Sequence, residues 1–172
     1  MDPKFYSFKV EGVKTIAIFE YNQKIKELLY QFKGCMDYEL KDVFLTYYVD
    51  YLKLLFAGYY IICAPSFKEH DQRRGFNHVK EIFSSLNLEY IDCLIKTKDI
   101  KQANLSLDKR GDIYKYIEID ESANLNGKKI LLVDDVYTSG STIKACLKLI
   151  KAKNPRKIRI LLMSRRTIYD KY

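Results

Sequence analysis

The stretch from Ile130 to Thr142, Ile-Leu-Leu-Val-Asp-Asp-Val-Tyr-Thr-Ser-Gly-Ser-Thr, constrains the fold of this chain more than any other. Four apolar residues run without alternation into two acids, which suits a strand buried on both faces of a parallel sheet. Asp134 and Asp135 then fall at that strand's carboxyl end, where open α/β sheets bind ligands. A short hydroxyl-rich loop with one glycine follows. After it, Ile143, Cys146, Leu147 and Ile150 repeat at the i, i+3, i+4, i+7 spacing of a helix. Asn154-Pro155 ends that helix, and residues 158–163 read as the next strand. The result is one βαβ unit with a polar turn at its ligand-binding end.

The residue types of that turn narrow its chemistry. Thr138, Ser139, Ser141 and Thr142 supply hydroxyls, and Gly140 lets a ligand approach the backbone with no Cβ in the way. Helix N–H groups without intrahelical partners point into the same space, where the helix dipole favours an anion. A phosphate monoester fits. Asp134 and Asp135 can accept hydrogen bonds from vicinal hydroxyls, or help hold Mg²⁺ through water. A phosphate cradle beside a diol reader describes a ribose 5-phosphate. Helix capping alone needs one such hydroxyl and leaves the acids without a role. A Walker B strand would need a G-x-x-x-x-G-K-[ST] motif, which the sequence lacks.

The rest of the chain supports one ordinary α/β domain over residues 1–172, long enough for its own core. Hydrophobic residues make up 48% and charged residues 30%, which excludes a disordered chain. There is no apolar run of membrane-spanning length and no signal-peptide pattern, so a cytoplasmic protein is expected. Cys35, Cys63, Cys93 and Cys146 form no C-x-x-C pair and read as reduced, buried thiols. The net charge of +8 could draw nucleic acid, but the cations are dispersed and equally suit a solvated surface or an anionic substrate.

From the start, residues 5–10 and 15–21 read as a hairpin around Glu11-Gly12. A helix capped by Asn22 follows, closed by Lys33-Gly34. A second helix is expected over Tyr38–Ala57, its aromatic stripe serving as core or a subunit contact. Residues 59–65 repeat the continuous apolar strand, and a polar loop over 66–77 carries Lys68, Arg73 and Arg74. Arginine forks match phosphate oxygens and lysine adds a point charge. Val79, Ile82, Phe83 and Leu86 mark one more helix. His70 and His78 read as exposed loop or helix-cap residues.

The acid pair followed by Val-x-Thr-x-Gly-x-Thr resembles the 5-phosphoribosyl-1-pyrophosphate (PRPP) signature of type I phosphoribosyltransferases. Arg74-Gly75-Phe76-Asn77 before an amphipathic helix resembles the ComF family, phosphoribosyltransferase-like proteins associated with DNA uptake. Lys96-Thr97-Lys98, Gln102, Leu105 and Lys109-Arg110 resemble a further ComF segment, with Asp112 where the family usually shows Asn. ComF proteins commonly begin with a cysteine-rich zinc-binding segment that this sequence lacks.

The resemblance implies a type I phosphoribosyltransferase fold, a central parallel sheet flanked by helices with a small N-terminal hairpin/hood region. Residues 1–34 would form part of the hood and 58–172 the PRPP-binding core. It assigns the ribose and 5-phosphate to Asp134, Asp135, Val136, Thr138, Ser139, Gly140, Ser141 and Thr142, with Asp134 and Asp135 catalytic and holding Mg²⁺ indirectly. Ser66, Lys68, Arg73 and Arg74 would bind pyrophosphate, and Gln102, Lys109 and Arg110 would lie on a mobile loop. The implied reaction transfers a 5-phosphoribosyl group to or from a nucleobase-like acceptor. The alternative is a non-catalytic PRPP or nucleotide sensor, or a competence accessory protein. A homodimer, the competence machinery and single-stranded DNA are the implied partners.

Overall fold

The computed structural model describes residues 5–97 and 116–166, so Gln102, Lys109 and Arg110 lie outside the described residues. Its central sheet has five strands: β1 (Tyr6–Val10), β2 (Val13–Glu20), β3 (Tyr60–Cys63), β6 (Lys129–Tyr137) and β7 (Lys157–Arg165). Their order is β1-β2-β7-β6-β3, with β1 antiparallel at one edge and the other neighbours parallel. β4 (Leu94–Lys96) and β5 (Ile117–Ile119) form a separate antiparallel pair.

Ile130, Leu131, Leu132 and Val133 are fully buried, because β6 is covered on both faces. Strand side chains alternate between faces. Leu131 and Val133 accordingly pack under α1 (Gln23–Gly34), α2 (Val49–Leu55) and α4 (His78–Phe83), against Ile25, Leu29, Phe32 and Ile82. Ile130 and Leu132 meet Ile143, Cys146, Leu147 and Ile150 of α5 (Ser141–Ala152) on the other face. Each such buried aliphatic side chain stabilises the fold by about 1.5–3 kcal/mol.

Several expectations change. The single helix over 38–57 is a 3₁₀ turn (Tyr38–Val43), a break, and the short α2. Phe44 and Leu45 are both buried in the break, and Tyr48 leaves the helical region at φ −123°. Tyr47 and Tyr51, expected in the stripe, are 85% and 55% exposed. The polar loop over 66–77 contains a helix, α3 (Lys68–Arg74). The N-terminal β2 pairs with β7 inside the central sheet. Cys93 and Cys146 are buried, but Cys63 is half-buried and Cys35 exposed. Among the described residues no helix is long and apolar enough to cross a membrane.

Candidate functional site

β3 and β6 are parallel neighbours paired from Tyr60↔Ile130 to Cys63↔Val133. The Ala64 N–H still donates to the Val133 carbonyl at 2.8 Å. The segment beginning at Pro65 therefore leaves the sheet beside Asp134, whereas β6 continues along β7 to Tyr137 before the 138–142 loop begins.

After β6 the chain builds a small cavity lined by Asp134, Val136 and residues 137–143. Gly140 sits at φ +72°, in the left-handed region, and precedes α5 directly. A Cβ there would lie 2.6 Å from Cε2 of Tyr137, whose ring is wedged between Gly140 and Phe8. Thr138 and Ser139 are exposed, and the Ser139 and Ser141 hydroxyls are 3.0 Å apart. The first N–H groups of α5 lack intrahelical acceptors. Glycine backbone, hydroxyls and helix start converge on one anion-sized space.

The two acids part company. Asp134 lines the cavity, its Oδ1 accepting from the Asp135 N–H at 2.9 Å. Burial, then the neighbouring Asp135 charge, pushes its carboxyl well above the ordinary carboxylate range. Asp135 turns to the opposite face, where its Oδ2 accepts from Lys33 Nζ at 2.7 Å and lies 3.3 Å from His78 Nε2. Burial raises this carboxyl too, but Lys33 and His78 outweigh it and hold Asp135 well below the ordinary range. For Lys33 burial works downward, and Asp135 more than offsets it, so the ammonium is held above its ordinary range. The two acids thus face different ways: Asp134 lines the loop cavity, whereas Asp135 joins Lys33 of α1 and His78 of α4.

His78, read as an exposed loop or helix-cap residue, opens α4 directly after its Asn77 cap and is buried. Arg74 Nη1 lies 3.0 Å from its Nδ1. A guanidinium can only donate, so Nδ1 accepts and the ring carries its proton on Nε2, aimed at Asp135. One sequence signal points to this: His78 is four residues before Ile82, on the buried face of α4.

The Arg74–Asn77 segment shows what each motif residue does. Arg74 donates from Nε to the Lys33 carbonyl at 3.0 Å and from Nη1 to Asp71 at 3.1 Å. Gly75 ends α3 at φ +82°. Phe76 packs on Phe32 and Tyr38. Asn77 caps α4 through the Lys80 N–H at 2.9 Å and donates to Ser66 and Asp71 at 3.1 and 2.8 Å. Ser66 also donates to Asp71. A continuous network runs from Ser66 through Asp71, Arg74, His78 and Asp135 to Lys33. Arg74, expected to grip pyrophosphate, and Ser66 both have protein partners in this network.

Lys68 and Arg73 are exposed. Lys68 and Ser66 line a cleft of about 260 Å³ beside β3, with Lys96 on its far wall. A Phe67↔Lys96 bridge closes one side. Among the described residues no cluster of three His, Cys, Asp or Glu is arranged to hold a metal ion. Mg²⁺ commonly takes one or two carboxylates and completes its shell with substrate phosphates and water, and Asp134 fits that use.

A family model described as "Phosphoribosyl transferase domain" matches residues 72–169. "Competence protein ComFC" of Streptococcus pneumoniae (strain ATCC BAA-255 / R6) is 29% identical over 154 residues, covering 90% of this chain and 69% of that protein. The hypoxanthine-guanine phosphoribosyltransferase of Sus scrofa is 38% identical over 58 residues, covering 33% of this chain and 26% of that one. Among solved structures, a hypoxanthine phosphoribosyltransferase from Staphylococcus aureus aligns with a TM-score of 0.47 and 14% identity, over 78% of this chain and 77% of that one.

Proposed function

The chain belongs to the phosphoribosyl transferase domain family, and on that premise we propose that it binds PRPP and transfers the 5-phosphoribosyl group to a nucleobase-like acceptor. One observation carries this reading. Gly140, at positive φ, opens a twelve-residue helix at the carboxyl end of a buried strand, with Asp134 lining the same cavity. In this reading the backbone N–H groups and hydroxyls of residues 138–142 hold the 5-phosphate, and Asp134 accepts from the ribose hydroxyls. Ser66 and Lys68, with Arg73 nearby, receive the pyrophosphate end. Arg74, His78 and Lys33 act as positioning residues that keep both segments in place.

Mg²⁺, held by Asp134 and ligand oxygens, would supply charge neutralisation for the pyrophosphate. The chain's own part is electrostatic and geometric. Positive charge develops at the ribose C1 as pyrophosphate leaves, and the site orients the two reactants and screens that charge. No covalent nucleophile is required.

A second reading has its own support. The similarity to a competence protein covers 90% of this chain, which favours a competence accessory that keeps the PRPP pocket without turnover, in contact with the uptake machinery or single-stranded DNA. Both readings expect a higher melting temperature with millimolar PRPP and Mg²⁺. Ligand linkage gives about 2.7 kcal/mol at a hundredfold excess over Kd. Pyrophosphate release in a screen of nucleobases distinguishes them. No thermal shift would remove both.

A further inference from the structure

The amino end of the central sheet carries a second cavity, of about 250 Å³, lined by Lys14, Lys129, Lys157 and Arg159 around a floor that includes Phe56 and Tyr59. Lys14 comes from β2, Lys157 and Arg159 from β7, and Lys129 from β6, so the cations span three adjacent strands. Lys129 and Lys157 are direct cross-strand partners. Like charges directly opposed in a sheet are destabilising, and an anion between them reverses that sign. No carboxylate is among the described residues lining this cavity, and among the described residues none of the four cations forms an ion pair. Lys33, Lys80 and Lys153, in contrast, are paired with Asp135, Asp92 and Glu121.

The floor adds a second kind of recognition. Lys129 Nζ lies 5.7 Å from the Tyr59 ring centroid, and the Phe56 and Tyr59 rings meet edge to face at 5.7 Å. Phe56 and Tyr59 are themselves buried, and the accessible apolar wall of the cavity is Leu55, 41% exposed. An apolar wall beside a ring of cations suits a ligand with a planar base and several phosphates. At about 250 Å³ the partly open cavity lies just below the ~300–1,000 Å³ range of small-molecule sites, which suits a nucleotide monomer better than a nucleic-acid strand, which needs a long groove.

We propose that this cavity binds a nucleoside di- or triphosphate, at a site separated from the residue 138–142 loop by the length of β6, roughly 25 Å. The phosphates lie among Lys14, Lys129, Lys157 and Arg159, and the base packs against the exposed Leu55. The assignment does not depend on the PRPP reading.

Titration calorimetry and thermal shift with ATP test it, using adenosine, tripolyphosphate and a single-stranded oligonucleotide as comparison ligands. The intact chain should bind ATP at least tenfold more tightly than tripolyphosphate, and adenosine weakly. Lys157→Glu converts an opposed like-charge pair into an ion pair with Lys129. It should weaken ATP at least tenfold, keep or raise the ligand-free melting temperature, and leave ribose 5-phosphate titration unchanged. Arg159→Gln should weaken ATP in the same direction, which keeps the test open if the glutamate variant folds poorly. The proposal is overturned by absent ATP binding, or by full ATP affinity in both variants. It is also overturned if ribose 5-phosphate displaces ATP, which would put ATP at the 138–142 loop. Equal binding of tripolyphosphate or the oligonucleotide would show a nonspecific basic surface and overturn it too.

Discussion

The segments that follow β6 and β3 leave neighbouring strands at the carboxyl edge of the sheet, yet they use their polar groups in opposite ways. Residues 138–142 are built from backbone and short hydroxyls, with Gly140 at φ +72° and Thr138 and Ser139 exposed. Residues 66–77 are cross-linked, with Ser66, Asp71, Arg74 and Asn77 bonded to one another. In the proposed reading the first arrangement presents donors to a ligand. The second spends its donors on holding α3 and α4, and through His78 and Asp135 it fixes the base of the first. A strand, a polar stretch and a helix can therefore make either a binding surface or the brace behind one.

Gly140→Val should break the comparison most severely. The branched side chain meets Tyr137 and forces a conformation that L residues rarely adopt. PRPP affinity is expected to fall more than a hundredfold, with Gly140→Ala between the two. Calorimetry checks the affinity, and circular dichroism shows whether the sheet survives. A Val variant that binds like the parent would remove the phosphate cradle from this loop.

Arg74→Ala should act on the brace. Losing charge-assisted bonds to Asp71 and the Lys33 carbonyl is expected to cost about 2–3 kcal/mol in urea unfolding. Arg74→Lys keeps the charge but not the fork, and should recover only part of that. An unchanged unfolding midpoint, together with lost pyrophosphate binding, would return Arg74 to the ligand.

The acids predict opposite pH signatures. Asp135, depressed in the fold, contributes stability above its unfolded value of about 4 that is lost as pH falls through its lower folded value. Asp134, raised in the fold, favours folding at low pH, and that contribution declines as pH rises from about 4 through its folded value. Asp134→Asn should therefore stabilise the ligand-free protein at neutral pH, by removing a buried charge. The same ionisation should make ribose 5-phosphate bind more tightly as pH rises, by at most about tenfold per unit. A binding profile unchanged by Asp134→Asn would exclude Asp134 as the hydroxyl acceptor.

Lys68→Ala should have the smallest effect. As an exposed point charge it should contribute less than tenfold to pyrophosphate affinity, with no change in melting temperature or ribose 5-phosphate binding. Loss of stability would show that Lys68 belongs to the brace.

Much of this was legible in the residues themselves. The unbroken run Ile130–Val133 demanded cover on both faces, and the polar turn Thr138–Thr142 with its glycine announced a helix start open to an anion. These are local signals, carried by patterns that survive in any context. The break at Phe44–Tyr48 was not local, because adjacent Phe44 and Leu45 both reach the core only once α1 and the sheet are in place. The functions of Asp135, His78 and Arg74 were hidden for the same reason. Asp135 is 102 residues from Lys33, and the chain gives no sign of that meeting. Period-two alternation does imply that adjacent acids face opposite ways, but only the tertiary structure decided which faced the cavity and which found a cation. The fold class followed from the order of apolar and polar residues. The division between binding and bracing residues followed from which side chains met, and burial makes those meetings strong enough to move a carboxyl up or down.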